Sequence, residues 1–175
     1  MSGELRSRIG EAKALAEEVL KKLKGFRLGI EEFKEGINRM PLIFRAFVVR
    51  DLVSGTGLSH DEWLAFTYRL IRRVETVIKA LERVEASGGS PESVEALKEA
   101  LKPLLERVDI AYRVLRGFEA YLLSVPGKAS KIPRFMPLSE EMRKALEEAP
   151  KHAGEVRRLA EDLRRLVRVI ESMVS

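Results

Sequence analysis

Few residues of this chain have the types and spacing that catalysis requires. Ser59, His60 and Asp61 carry the groups of a hydrolytic triad, but they are consecutive residues at the start of a predicted helix, where side chains point in different directions. A triad needs groups that converge in space. The pairing of Ser59 with Glu62 instead predicts a capping box, in which hydroxyl and carboxylate each satisfy a backbone amide of the first helical turn.

The sequence also gives little support for a phosphate-binding loop or for a site of paired carboxylates. Gly55 and Gly57 resemble part of a phosphate-binding loop, but no Gly-Lys-Ser/Thr ending follows and no strand precedes them, so we interpret them as a turn. Three glutamates within residues 31–35 could supply paired carboxylates, yet the Glu-x-x-His motif of helical di-iron sites is missing. They predict a solvated helix face.

Cysteine is absent from the 175 residues, which excludes disulfides, thiolate nucleophiles, cysteinyl zinc sites and iron–sulfur clusters. The two histidines, His60 and His152, are far apart in sequence, and His152 is expected at the surface. Because the sequence offers no nucleophile, metal cluster or cofactor loop, we expect a protein that is not an enzyme. We expect no cofactor, no metal and no small-molecule substrate.

Positive charge is concentrated in two stretches that contain no acid. The chain carries 32 basic and 27 acidic residues, a formal charge of +5. Residues 36–50 and 120–139 hold six cations and no acid, so the rest of the chain is close to neutral. The cations of the second stretch are spaced to meet successive phosphates, although a solubilising linker fits the same composition. The candidate nucleic-acid contacts are Arg39, Arg45, Arg50, Lys128, Lys131 and Arg134.

The sequence predicts that these residues lie on helices or in the connections between them. Apolar residues recur with alternating spacings of three and four, most clearly from Val94 to Leu122, where Pro103 predicts a kink in a continuous helix. Gly25 is expected to end the first helix, and three prolines within residues 124–138 predict an exposed loop. The predicted helices cover residues 4–24, a segment ending at Met40, and residues 41–53, 59–87, 91–123, 139–149 and 151–173.

No strand pattern occurs, so we expect an all-α helical bundle of five to six helices. Residues 1–175 are predicted to form a single domain with a Pro-rich basic loop at 124–138. An antiparallel hairpin of residues 59–87 and 91–123 is its base. The very apolar helix 41–53 is best explained as the buried centre of this bundle, and a basic amphipathic surface for a membrane or partner is the alternative.

Residue usage predicts the environment of the protein. The chain has no glutamine, one asparagine, and 20 arginines against 12 lysines, a pattern expected in proteins from hot environments. No uncharged run approaches the roughly 18 residues needed to cross a bilayer, and the N-terminus carries charges rather than an apolar signal segment. We therefore expect a soluble, cytoplasmic protein of a thermophile.

Two short motifs, MPLI at residues 40–43 and WLAF at residues 63–66, carry a resemblance to a known family. Residues 1–85 resemble the small all-helical subunit of type III-B CRISPR effector complexes, in which a proline-containing apolar helix precedes a helix with a Leu-Ala-Phe motif. The resemblance implies a non-enzymatic subunit that stacks on identical copies and holds nucleic-acid backbone through basic residues.

The sequence supports two functional hypotheses. The first is a non-catalytic helical interaction subunit that binds nucleic-acid backbone within a CRISPR effector-like ribonucleoprotein assembly. The alternative is a helical scaffold or self-assembling protein, with or without a membrane association, that has no nucleic-acid role. A protein partner or a second copy is expected in either case, and a membrane surface is the less favoured partner.

Overall fold

The apolar stripes of the sequence form helices that pack into a bundle. The computed structural model describes residues 2–132 and 139–175, and no strand occurs within those ranges. The predicted all-α bundle is therefore confirmed. Its five helices are α1 (Gly3–Asn38), α2 (Leu42–Thr56), α3 (His60–Ala86), α4 (Pro91–Ala129) and α5 (Glu140–Val174).

The four long helices bury the stripes predicted for them. Helix α4 packs along α3 and α5, and α1 packs along α3 and α5 from the other side. Leu97, Leu104 and Leu115 of α4 are at most 1% exposed, and Leu163 and Leu166 of α5 are fully buried. The period of the sequence thus identifies the face of each long helix that forms the core.

An aromatic cluster joins three of these helices near the start of α3. Trp63 is fully buried, and its ring meets those of Phe26, Phe66 and Phe118 edge to face. The centroid separations are 5.9 Å, 5.5 Å and 4.8 Å respectively, within the range that favours aromatic pairs. The cluster fixes the end of the bundle at which α1 ends and α3 begins.

Capping residues set the limits of the α3–α4 hairpin. The amide of Glu62 donates to the Ser59 hydroxyl at 3.2 Å, and the amide of Ser59 donates to the Glu62 carboxylate at 3.3 Å, which confirms the predicted capping box. Ser90 caps α4, and Pro91 occupies its first turn, where a missing amide is harmless. The Ser90 cap lies at the short connection between the two helices, and the capping box lies at the opposite end of α3.

The predicted end of the first helix at Gly25 is wrong. Helix α1 continues through this residue as far as Asn38. A glycine inside a helix is unfavourable by about 1 kcal/mol relative to alanine, which packing on both sides can exceed. Leu23 and Ile30 are buried before and after Gly25, so the helix keeps its contacts with the bundle.

The predicted division of residues 139–149 from 151–173 is also wrong. Helix α5 contains Pro150 in its interior. Ala149, Ala153 and Val156 are all buried and share one phase, so the same apolar stripe passes through the proline.

The predicted loop of residues 124–138 is wrong over its first part. Helix α4 extends to Ala129 with Pro126 inside it, just as it continues through Pro103 as predicted. Tyr121 and Val125 are 7% and 8% exposed, so packing of the last turns outweighs the helix-breaking tendency of proline. Residues 133–138, with Arg134, lie outside the described residues.

The prediction that residues 41–53 form a buried central helix is wrong as well. Helix α2 lies at one end of the bundle, against the last turns of α4 and beside the end of α1. Of its 15 residues only Phe44 and Leu52 are buried. Its composition suits burial on all sides, but the described residues cover one side only. Among the described helices, none is long and apolar enough to cross a membrane.

Candidate functional site

Helix α2 is held to the end of α1 by Arg45. The guanidinium Nη2 of Arg45 donates to the carbonyl oxygens of Asn38 at 2.7 Å and Met40 at 3.2 Å. Carbonyls at a helix C-terminus have no partner within the helix, and a cation also suits the negative end of the helix dipole. This candidate nucleic-acid contact therefore has a structural role at the α1–α2 corner.

A second contact joins α2 to the last turns of α4. The ammonium of Lys128 lies 3.1 Å from a carboxylate oxygen of Asp51, and the Tyr121 hydroxyl donates to the same carboxylate at 3.2 Å. Burial, followed by the charge and hydrogen bond of Asp51, raises the pKa of Tyr121, which keeps the hydroxyl a donor. Lys128, also a candidate nucleic-acid contact, thus neutralises the one acid of α2.

The C-terminal turn of α2 approaches the bundle closely because it contains a glycine. A Cβ atom on Gly55 would stand 2.9 Å from Cε2 of Tyr121, so any side chain here would push α2 away from α4. One residue later, the hydroxyl of Thr56 accepts a hydrogen bond from the indole nitrogen of Trp63 at 2.9 Å. Gly57 ends the helix with φ of 79°, a left-handed conformation that glycine adopts without strain. The predicted turn is therefore wrong for Gly55, which lies inside α2 and allows its close contact with Tyr121, whereas Gly57 does end the helix.

The opposite side of α2 presents apolar side chains to solvent. Leu42 and Ile43 are 75% and 77% exposed, and Phe47 is 54% exposed. Val49 and Val53 are also exposed. We call these five residues, with exposed Ala46 between them, the outward face. Leu42, Ala46, Val49 and Val53 follow the 4, 3, 4 spacing that elsewhere in this chain marks a buried stripe.

Basic residues lie at the same end of the bundle as the outward face. The structure brings the two acid-free stretches together at this end of the bundle, because α2 packs on the end of α4. Arg39, Arg50 and Lys131 are exposed, and none of the three forms an ion pair within residues 2–132 and 139–175. Three of the six candidate contacts are thus available to a partner, whereas Arg45 and Lys128 bind groups of this chain and Arg134 is not described.

The triad-like residues do not converge. Ser59 caps α3, and the carboxylate of Asp61 accepts from the ammonium of Lys34 at 2.6 Å. His60 is buried against the ring of Phe33, and its Nε2 has no hydrogen-bond partner among the described residues. Burial, and next the charge of Lys34, lowers the pKa of His60, while Asp61 acts in the opposite direction.

In the described ranges, no group of three or more acidic or histidine side chains is placed to hold a metal ion. His152 lies at the surface, 3.7 Å from the carboxylate of Glu155.

Comparison with protein-family models, with curated proteins and with solved structures finds no significant match to this chain. The resemblance to a CRISPR effector subunit therefore stays a prediction. The function must therefore be inferred from the geometry of the site. The sequence favoured a buried helix at residues 41–53, so the outward face was not the preferred prediction.

Proposed function

We propose that this protein is a non-catalytic interaction protein that docks onto a partner through the outward face of α2. One observation carries the proposal: apolar residues occur on every side of α2, yet within the part of the chain that the structure describes only Phe44 and Leu52 of this helix are buried. A helix that is apolar on all sides is normally covered on all sides.

The outward face can contribute substantially to the free energy of binding. Burial of a leucine, isoleucine or phenylalanine side chain contributes about 1.5–3 kcal/mol. Leu42, Ile43 and Phe47 are each more than half exposed. Their burial against a partner would offset a substantial part of the cost of association, which is about 4–15 kcal/mol.

The environment of the triad-like residues supports a role without catalysis. The hydroxyl of Ser59 and the carboxylate of Asp61 are engaged with an amide and an ammonium group, so neither is directed at His60. A cytoplasmic location and a thermophilic source stay predictions from residue usage.

Docking through α2 can be tested with a fluorescent label, because the chain has no cysteine to compete for it. Ala46→Cys places an environment-sensitive dye on the outward face, and Thr76→Cys places it on an exposed position of α3. Each labelled protein is mixed with the membrane, nucleic-acid and soluble-protein fractions of its source cells. We expect a blue shift at position 46 with one fraction and none at position 76. Equal responses at both positions, or none with any fraction, would contradict the proposal.

A second candidate function is the binding of nucleic-acid backbone. The observation that favours it is that Arg39, Arg50 and Lys131 lie at one end of the bundle. All three are exposed, and none forms an ion pair in the described part of the chain. If each contacts a phosphate of a single strand, serine substitution of all three should reduce the salt slope of binding by about 2 units. A control with serine at Lys79, Arg158 and Arg168, all exposed on other faces, should keep the slope. Equal slopes would remove this surface from nucleic-acid binding.

A further inference from the structure

We infer that the partner of the outward face is the surface of an anionic lipid bilayer, into which α2 inserts while lying flat. The inference rests on the proposed docking role of α2 and adds the chemistry of what is docked. Three properties of the described residues support it: the projection of the apolar side chains, the sign of the charge around them, and the direction of the stripe.

The apolar side chains project from the molecule. Leu42 and Ile43 follow the exposed Pro41 and are 75% and 77% exposed, so neither lies in a groove formed by the described residues. Side chains that project in this way require a partner that can close around them. The acyl region of a bilayer does so without a preformed pocket.

On α2 and in the turn before it, all charged residues that lack an ion pair in the described part of the chain are arginines. Arg39 lies just before α2 and Arg50 lies within its solvent-exposed side, whereas the one acid of α2, Asp51, is paired with Lys128. Two copies that met face to face through α2 would bring these arginines together with no acid from either helix to pair with them. A negatively charged partner fits better than a second copy.

Nucleic acid supplies negative charge but does not supply a medium for aliphatic side chains. Phe47 could stack on a base, but Leu42 and Ile43 could not. An anionic bilayer supplies both components: lipid headgroups for the arginines, and the acyl boundary for the apolar residues. The long stems of Arg39 and Arg50 allow their guanidinium groups to stay at the headgroups while neighbouring side chains are buried.

The direction of the stripe sets the orientation of the helix. Leu42, Ala46, Val49 and Val53 extend along nearly the whole length of α2. All four can enter a membrane together only if the helix axis lies parallel to the surface. Lys131, in the turn after α4, is then at the same end of the bundle as this surface.

The test uses the full chain and two kinds of vesicle, one of phosphatidylcholine alone and one of equal parts phosphatidylcholine and phosphatidylglycerol. Binding is measured by sedimentation, and insertion by the blue shift of a dye at Ala46→Cys against Thr76→Cys. We expect binding to the anionic vesicles that weakens with salt, much weaker binding to the neutral ones, and a blue shift at position 46 only. Equal binding to both kinds of vesicle would overturn the role of the arginines and with it the inference.

Substitutions separate the two components of the surface. The outward-face variant (Leu42→Gln, Ile43→Gln, Phe47→Gln) should bind anionic vesicles at least about a hundredfold more weakly. A variant with Arg39→Ser and Arg50→Ser should bind about 30-fold more weakly, since a cation near an anionic surface contributes about fivefold. The distal control variant (Leu28→Gln, Leu105→Gln, Ile110→Gln) changes three exposed apolar residues on α1 and α4 and should bind as the wild type does. Circular dichroism verifies that each variant keeps its helices.

The outcomes distinguish this inference from the proposed function. If wild-type protein does not bind anionic vesicles at low salt, but the dye at position 46 responds to nucleic acid, to a soluble protein or to self-association, the lipid inference is wrong and docking through α2 stands. If the dye responds to none of them, both are wrong. If the distal control variant loses as much vesicle binding as the outward-face variant, the assignment to α2 is overturned.

Discussion

Helices α4 and α2 are both rich in apolar residues, but they differ in how many of these residues the bundle buries. In α4 most apolar residues form one stripe, and Leu97, Leu101, Leu104 and Leu115 are at most 2% exposed. In α2 they occur on every side, and only Phe44 and Leu52 are buried. A helix with a polar side has one favourable orientation, because the polar side must face water. A helix without one gains from burial on any side, so the number of neighbours that the fold provides decides how much of it is covered.

Truncation of one side chain in each helix should give the largest contrast. Leu104→Ala removes a fully packed side chain and should lower the free energy of unfolding by about 2–5 kcal/mol. Ile43→Ala removes one that is 77% exposed and should change it by less than about 0.5 kcal/mol. Urea denaturation at low protein concentration measures both. A loss above 2 kcal/mol for Ile43→Ala would mean that the outward face is covered in the isolated protein.

A substitution at the interface of α2 and α4 should disrupt their contact. Gly55→Ala places a methyl group against the ring of Tyr121, and overpacking of this kind is unfavourable by about 1–3 kcal/mol. Gly29→Ala is the matched control, since its Cβ would meet nothing within 4 Å, and it should stabilise α1 by about 0.4–1 kcal/mol. Thermal unfolding compares the two. Stabilisation by both substitutions would show that α2 is not docked against Tyr121.

Acidification should weaken the α1–α3 contact near α2. In the folded chain, burial and then the charge of Lys34 hold the pKa of His60 below its ordinary value of 6.5. Between the folded-state pKa and 6.5, the unfolded chain therefore binds more protons than the folded chain. Stability should therefore be complete above pH 6.5 and fall as the pH drops from 6.5 towards the folded-state pKa. His60→Gln should remove this fall in stability below about pH 6.5, and His152→Gln should keep it. The same pH dependence in the wild type and in His60→Gln would contradict the buried position of His60.

The smallest effect is expected from the ion pair between α2 and α4. Lys128 and Asp51 retain 39% and 23% side-chain exposure, so solvent screens their attraction. A double-mutant cycle with Lys128→Met and Asp51→Asn should give a coupling of about 0.2–1 kcal/mol. The cycle is measured by urea denaturation at low salt. No coupling at all would mean that this ion pair does not contribute to holding α2 against α4.

Local patterns in the sequence predicted those parts of the fold that local physics determines. The stripe of α4 and the capping box of Ser59 and Glu62 depend on residues within a few turns of each other, and both are confirmed. The helices through Gly25, Pro126 and Pro150 were not predicted. Their continuity depends on packing against distant segments, which outweighs the unfavourable backbone preference of one residue.

The candidate site was predictable in composition but not in geometry. The acid-free stretches identified Arg39 and Arg50, which are exposed beside α2. They also identified Arg45 and Lys128, whose partners are carbonyl oxygens of α1 and the carboxylate of Asp51. Whether a cation binds its own chain or remains available depends on which distant residues tertiary packing places near it, and spacing in the sequence does not contain that information.

Pro150 should allow the first part of α5 to open locally. It cannot donate the helical hydrogen bond to the carbonyl of Leu146, and of the ten helix residues before it only Ala149 is buried. Residues 140–149 can therefore unwind without disturbing the core residues from Val156 to Ile170. In native-state hydrogen exchange, their amides should exchange by this local opening, whereas the amides after Val156 should exchange only when the whole bundle unfolds.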